Sequence, residues 1–360
     1  MDSFLSDLVK ELADEYTTIA ADGKSSAEFS GTIDTGSYIL NAAMSGSLYG
    51  GVPNNKITAF AGETGTGKTF FVLGVISQFL ESNPDGGVIY FDTESAVTNE
   101  MMELRGIDVR RVVKSEPESI QRFRHTSLLT LDNYSAQTKE EQRPLLMILD
   151  SLGQLSSSKE LEDTAEGKET RDMTKAQVLK ATFRVLNLKL AKANVPMIVT
   201  NHTYDVVGSY VPMKEMSGGS GLKYSASTIA MLSKKKDRDG TDVVGNIIKV
   251  KMHKSRLSRE NKEVEILLSY DKGLDRYYGL VDLGVSEGVF KKVANRIELP
   301  DGKKIYAKQI YDKPKEYFNQ EVMEKLEVHA QKLFQYGSPN GDVKDPIFDS
   351  EDEVPNGTEY

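Results

Sequence analysis

The chain has 360 residues, 39% of them hydrophobic, enough for one large domain with smaller appendages. It contains no cysteine, which excludes disulfides and thiolate metal sites. Its net charge of −9 argues against a general polyanion binder, although residues 341–360 carry −6 of that total and leave −3 for the other 340. Any contact with nucleic acid must then be local and carried by loops.

Residues 3–16 read as a helix, with Ser3 as N-cap and an apolar stripe of Phe4, Leu5, Leu8, Val9 and Leu12. This N-terminus lacks the basic start and apolar core of a signal peptide. A polar linker with Gly23, Ser25 and Ser26 follows. The helix and linker, 1–30, form a first unit able to dock on the chain's own domain or on a neighbouring subunit, and Phe29 is a candidate anchor.

From residue 31 to 273 the pattern is α/β. Near-continuous apolar runs at 57–61, 88–92, 145–150 and 195–201 suit parallel strands buried on both faces. Helices are expected between them at about 68–81, 99–105, 117–132 and 172–193. The alternation predicts a mostly parallel sheet flanked by helices, with ligands at the carboxyl ends of the strands.

The first strand runs into Gly62, Glu63, Thr64, Gly65, Thr66, Gly67, Lys68 and Thr69, a G-x-x-x-x-G-K-T loop opening a helix. Glycines at 62, 65 and 67 permit a turn whose N–H groups face a phosphate. Lys68 suits the β- and γ-phosphates of a nucleotide such as ATP, and the Thr69 hydroxyl suits Mg²⁺. The third strand closes on Asp150, the usual Mg²⁺-associated acid of such a loop. Glu94, after the second strand, can orient and deprotonate a water. His202, after the fourth, can sense the γ-phosphate and pass its state into the following segment.

Two long polar segments leave this sheet edge, at about 154–171 and 203–221. They hold Lys159, Lys168, Arg171 and Lys214, with Tyr204, Val206, Val207, Tyr210 and Met213 in the second and Lys175 just beyond the first. Cations interleaved with apolar or aromatic side chains suit a single-strand platform, where stacking contributes about 1–3 kcal/mol per base. A β-hairpin is expected next, with strands at 228–233 and 246–252 around a charged turn at 234–240. Lys254 and Arg256 follow; on extended chain, residues two apart point the same way. A small mixed domain is expected at 274–338, and the acidic remainder, 339–360, is expected to be disordered.

The segments GETGTGKT, YFDTE, LLMILDSLG, VTNHTY, MSGGSGLKYSAS, KMHKSR and YYGLVDLGV, in this order and spacing, resemble the RecA-type DNA recombinases. DSLGQLSSSKELEDT, NHTY and HKSR resemble the phage UvsX-type branch in particular, and the likeness runs from Thr35 to Gly288. The resemblance implies a RecA-like P-loop ATPase core and a helical filament on single-stranded DNA, with ATP and Mg²⁺ bound between subunits. It implies pairing with homologous double-stranded DNA and strand exchange, in the cytoplasm of an infected bacterial host, alongside a mediator and a single-strand-binding protein. By position, Lys68 and Thr69 hold phosphate and Mg²⁺, Asp150 is the Mg²⁺-associated acid and Glu94 the base. His202 replaces a glutamine sensor, and Lys254 and Arg256 reach ATP from the adjacent subunit. Met101 stands where many relatives place a tyrosine over the adenine. The two long loops match the DNA-binding loops, with Val206 or Val207 as a wedge between bases, and the tail resembles tails that compete with DNA. Readings that share the core are a hexameric helicase or ring motor, and a non-hydrolysing paralogue acting as a DNA-binding adaptor.

Overall fold

The structure is a computed structural model and describes residues 3–12, 17–20, 30–168, 172–205, 214–239, 241–270, 273–299 and 301–337. The linker residues Gly23, Ser25, Ser26 and Phe29, together with Arg171, Val206, Val207, Tyr210, Met213 and the acidic tail, lie outside them. Helix α1 (Ser3–Leu12) leaves Phe4, Leu5, Leu8 and Leu12 exposed. The pair β1 (Thr32–Ile33) and β2 (Val52–Pro53) brackets α2 (Tyr38–Ser45). Then come β3 (Ile57–Gly62), α3 (Lys68–Ser82), β4 (Gly87–Asp92), α4 (Asn99–Glu103), β5 (Val112–Ser115), α5 (Ile120–Ser135) and β6 (Leu145–Asp150). The core continues with α6 (Ser158–Ala165), α7 (Lys175–Ala193), β7 (Met197–Asp205), β8 (Lys214–Met216), α8 (Ser220–Ser225), β9 (Thr228–Asp239), β10 (Asp242–Lys254), β11 (Glu263–Ser269) and β12 (Gly273–Leu274).

The main sheet has the order β12-β11-β10-β9-β3-β7-β6-β4-β5, with β8 paired to β7. From β9 to β5 every pairing is parallel. β9, β10, β11 and β12 pair antiparallel. Every residue of β3 is buried, as a central strand covered on both faces requires. Successive side chains alternate between the two layers. Phe60 joins the layer under α3 and stacks on Phe71 at 6.1 Å, while Ile57 and Ala59 join the opposite layer under α5 and α7. In that second layer Phe91 of β4 meets Phe123 of α5 edge-on at 5.0 Å.

The four expected strands and their intervening helices are present, with ends shifted by a few residues. Three differences have local causes. The segment 154–171 contains α6, nucleated by a capping box in which Ser157 and Glu160 satisfy each other's backbone N–H. The charged stretch 234–239 is strand, because β9 and β10 stay paired up to Asp239 and Asp242, across a register shift between Val243 and Gly245, and the turn is shorter than expected. Edge strand β5 was too short and too polar to register as apolar periodicity; it pairs Val112 to Ser115 with β4.

After β12 the chain forms α9 (Leu280–Ser286), the small antiparallel sheet β13 (Lys291–Val293), β14 (Arg296–Glu298) and β15 (Lys304–Ile305), then α10 (Ala307–Asp312), α11 (Pro314–Tyr317) and α12 (Gln320–Phe334). The apolar layer under α3 continues without a break into Leu280, Phe290, Leu326, Ala330 and Phe334. Polar contacts also join these parts: Glu327 accepts from the Leu48 N–H at 2.7 Å, and Arg259 donates its Nε–H to the Gln335 carbonyl at 2.9 Å. Leu326 is fully buried. Leu326→Ala should therefore cost about 2–5 kcal/mol. Denaturant unfolding of the full chain checks this, and a midpoint equal to that of the parent chain would show that α12 is not part of the core.

Candidate functional site

Four parallel strands end on one edge, and each delivers a polar residue there. β3 runs into the phosphate loop, β4 leads to Glu94, β6 ends at Asp150, and β7 carries Thr200 and His202. In the loop Gly65 and Gly67 have φ of +74° and +85°, left-handed values that other residues resist. Gly67 begins α3 without a side-chain cap, so the first N–H groups of a fifteen-residue helix face the loop's concavity. That arrangement, beside a lysine, fits a polyphosphate.

Lys68 is buried, and its ammonium donates to the carbonyls of Gly62 and Glu63, both at 3.0 Å, and lies 3.4 Å from His202 Nδ1. Burial lowers its pKa, against the raising effect of Glu94 and Asp150. An ammonium has only donors, so Nδ1 is the acceptor and the imidazole proton sits on Nε2. Nε2 then donates to Glu94 Oε1 at 2.9 Å. Ser151 donates to the same oxygen at 2.5 Å. Burial opposes the charge of Glu94, but the hydrogen bonds from Ser151 and His202 and the charge of Lys68 outweigh it and hold its carboxyl below the ordinary range. Glu94, His202 and Lys68 thus form one chain of contacts.

The turn that presents Glu94 is fixed by two cross-strand links. Thr93 exchanges hydrogen bonds with Ser151, donating at 2.7 Å and accepting at 2.8 Å. The buried Asp92 accepts from the Glu94, Ala96 and Val97 N–H groups at 3.2–3.4 Å and pairs with Lys114 at 3.5 Å. Asp150 accepts from the Tyr90 hydroxyl at 2.7 Å and from Thr200. Tyr90 is held un-ionised by its burial and by the charge of Asp150. Asp150 is buried, and Thr69, at the head of α3, is half-buried. Two protein oxygens do not enclose Mg²⁺, which keeps several waters and is completed by substrate phosphates. Among the described residues no group of three or more His, Asp or Glu side chains could hold a metal on its own.

β7 leads directly into the second loop. β8, on the loop's return, pairs with β7 through Thr203↔Met216 and Asp205↔Lys214. Just past it, Ser217 donates its N–H to the His202 carbonyl at 2.9 Å and exchanges hydrogen bonds with the Asn201 side chain. Gly153 lies against this junction, and a Cβ there would fall 2.8 Å from the Ser217 hydroxyl.

Of the expected DNA-facing residues, Lys159 and Tyr204 are exposed. Lys168 pairs with Glu166, Lys175 with Glu160 at 3.0 Å, and Lys214 with Glu63 of the phosphate loop. Arg171, Val206, Val207 and Tyr210 fall outside the described residues. The stagger at the end of β10 changes the geometry expected of the cationic pair. A register shift between Met252 and Lys254 turns Lys254 under α8, where it donates to the carbonyls of Lys223 and Tyr224 at 2.8 and 3.1 Å. Burial, then the charge of Arg256, lowers the Lys254 pKa. Arg256 is exposed and lies past the strand end in a bend, so the extended-chain argument for a shared direction does not apply.

Beside α3 a cavity of 650 Å³ is lined by Phe70, Leu104, Arg105, Tyr270 and Leu274 among others. Arg105 lies over the Phe70 ring at 4.5 Å and donates to the Met101 carbonyl at 2.7 Å. Met101, in the middle of α4, is half-buried and is not part of that lining. Sequence reasoning missed Tyr90, Ser151 and Asp92 as parts of the site. Tyr90 and Asp92 carried a legible signal: two polar groups two residues apart at the end of a buried strand share a face.

Comparison with known proteins places this geometry. The model of the RecA N-terminal domain matches residues 4–275. The chain is 31% identical over 257 residues to the "Recombination and repair protein" of Enterobacteria phage T4, covering 71% of this chain and 64% of that protein's length. It is 29% identical to "Protein RecA" of Chloroherpeton thalassium over 263 residues, 72% of this chain and 69% of that one. It is also 29% identical to the protein of that name from Rhizobium leguminosarum over 271 residues, 72% and 71% of the two chains. With the parallel sheet and the phosphate loop at its edge, these matches identify the chain as a member of the RecA family.

Proposed function

We propose that this chain is an ATP-dependent DNA recombinase. It assembles as a filament on single-stranded DNA, pairs that strand with homologous duplex and exchanges strands, within the cytoplasm of a phage-infected bacterium. No described helix is long and apolar enough to cross a membrane. The observation that carries the reading is the chain from Lys68 through His202 to Glu94, on a strand whose next residues open the second loop. A bound γ-phosphate competes for the Lys68 ammonium, and His202 changes partners at one end of that strand. The displacement is passed through the Ser217 hydrogen bond to the loop that contacts DNA.

The Glu94 carboxylate takes the proton of an attacking water, with Ser151 and His202 fixing its direction. Lys68 and the α3 N-terminus hold the phosphates. Thr69 and Asp150 would hold Mg²⁺, which neutralises charge on the phosphate oxygens when bound. Met101 supplies an apolar contact for the base. Lys254 and Arg256 serve a neighbouring subunit's nucleotide, which makes hydrolysis depend on assembly. Tyr204, Lys159 and the remaining loop cations face the DNA, and the exposed stripe of α1 docks on the neighbour. The units 1–30, 31–273, 274–338 and 339–360 then divide into assembly arm, ATPase core, small C-terminal domain and tail. A mediator and a single-strand-binding protein complete the reaction.

Lys68→Ala should reduce hydrolysis stimulated by single-stranded DNA by about 10²–10³-fold, the scale of one lost charge-stabilising donor. Arg256→Ala should reduce it by about 10³–10⁵-fold while filaments still form. Normal hydrolysis by assembled Arg256→Ala filaments would remove the role in trans, and the absence of DNA-stimulated hydrolysis or strand exchange in the parent chain would remove the whole reading. A pH profile tests the base. Glu94 must be ionised, and Ser151 helps to hold its pKa down. Losing that donor raises the pKa, so in Ser151→Ala the acidic limb of kcat/KM should move to higher pH while the neutral plateau persists. A limb that stays in place, or moves to lower pH, contradicts the assignment.

A further inference from the structure

One cation near the phosphate loop belongs to none of the roles above. β9 runs parallel to β3 as far as the pairing of Leu232 with Gly62. There β3 bends away into the loop while β9 continues. Leu232 packs in the layer under α3, and residues two apart on a strand share a face, so Lys234 projects over the loop on that same side. Its partner across the β9–β10 ladder, Ile248, lies in the same layer, which fixes the direction independently. The Lys234 ammonium donates to the Gly65 carbonyl at 2.7 Å. The approach is close enough that a Cβ on Gly65 would fall 2.7 Å from that nitrogen. Gly65 is one of the two left-handed residues that shape the turn.

The charge of Lys234 acts on both Glu63 and Lys68. The turn is therefore held from two sides. Lys214 grips the Glu63 carboxylate from β8, and Lys234 grips the Gly65 carbonyl from β9. The two grips differ in kind. Both are exposed, but the Glu63 grip is an ion pair between two long side chains, which water and salt weaken. The Gly65 bond is made to the backbone of the turn itself, so its loss frees the peptide whose orientation shapes the nest. Lys234 also places a second ammonium near Lys68, and the repulsion between them favours filling the nest with an anion.

We propose that Lys234 is a positioning residue of the nucleotide site, which holds the phosphate-loop turn through Gly65 and thereby sets the affinity for ATP. This rests on the reading of that loop as an ATP site. The hairpin strand that carries Lys234 then has a direct connection to nucleotide occupancy, separate from the route through His202.

Binding of a fluorescent ATP analogue with Mg²⁺ to the full chain, without DNA, tests this in the parent, Lys234→Ala, Lys234→Arg and Lys68→Ala. Lys234→Ala should bind about tenfold more weakly, the scale of one hydrogen bond from a charged donor. Lys234→Arg should restore most of the affinity. In hydrolysis assays the loss should enter KM, with kcat at saturating ATP within about threefold, as expected when binding and transition state are affected alike. Unfolding midpoints of the nucleotide-free variants should match the parent's, while the nucleotide-induced rise in midpoint shrinks in Lys234→Ala. Equal affinity of parent and Lys234→Ala overturns the inference and leaves the ATP site intact. Weakening in Lys234→Arg as large as in Lys234→Ala overturns it as well, because the charged donor is then not what matters. A parent that does not bind the analogue, or a Lys68→Ala chain that binds as tightly as the parent, overturns the ATP-site reading and the inference together.

Discussion

A buried ammonium must be surrounded by lone pairs, and the site is organised around meeting that demand at Lys68. Two carbonyls of its own loop and one imidazole nitrogen supply them. Burial lowers its pKa, so the charged form is held by neighbours and gains from any anion that arrives. The parallel sheet makes this possible. Gly62 at the end of β3 lies opposite His202 of β7, and Asp150 at the end of β6 accepts from Thr200 of β7, so the lysine, the acid and the imidazole converge without long side-chain excursions. The other parts of the site refer back to this point: His202 completes the ammonium's shell, Glu94 binds His202, and Ser151 binds Glu94.

Under the proposed function this geometry connects nucleotide to loop by short, specific contacts. A phosphate that takes over Lys68 changes what His202 accepts, and the His202 peptide is bonded to Ser217 at the return of the second loop. The same loop sends Lys214 to Glu63, and β9 sends Lys234 to Gly65. Lys254, expected to serve a neighbour, is occupied at the C-terminal carbonyls of α8, where cations are favoured by the helix dipole. Serving a neighbour's phosphate would require it to leave that helix end, which lies directly beyond the second loop.

Much of the fold was legible because it depends on local chemistry and on period. Continuous apolar runs ending in Asp92, Asp150 and His202 marked buried parallel strands, and glycines at 62, 65 and 67 marked the phosphate loop. The capping box at Ser157 and Glu160 is equally local, yet the polar composition around it outweighs two capping residues and reads as loop where the structure has α6. The length of β9 was misjudged for a similar reason. Five charged residues in succession, 234–238, look like a turn, but on a hairpin projecting past the sheet both faces can be polar.

The sequence alone determined the chemistry on offer: which residues could hold phosphate, which could act as base or sensor, and in which strand order they come. Spacing along the chain and side-chain type suffice for that. Which oxygen each donor meets was decided only by the tertiary structure. Ser151 on Glu94, Lys234 on Gly65, Lys214 on Glu63 and Lys254 on α8 each join segments brought together by strand order, register and one bulge. A one-residue change of register would turn Lys234 to the other face of the sheet, and the register is held by the layer that buries Leu232 and Ile248. The phosphate loop's identity was therefore legible from its own eight residues, while the constraint on its shape is imposed by strands far along the chain.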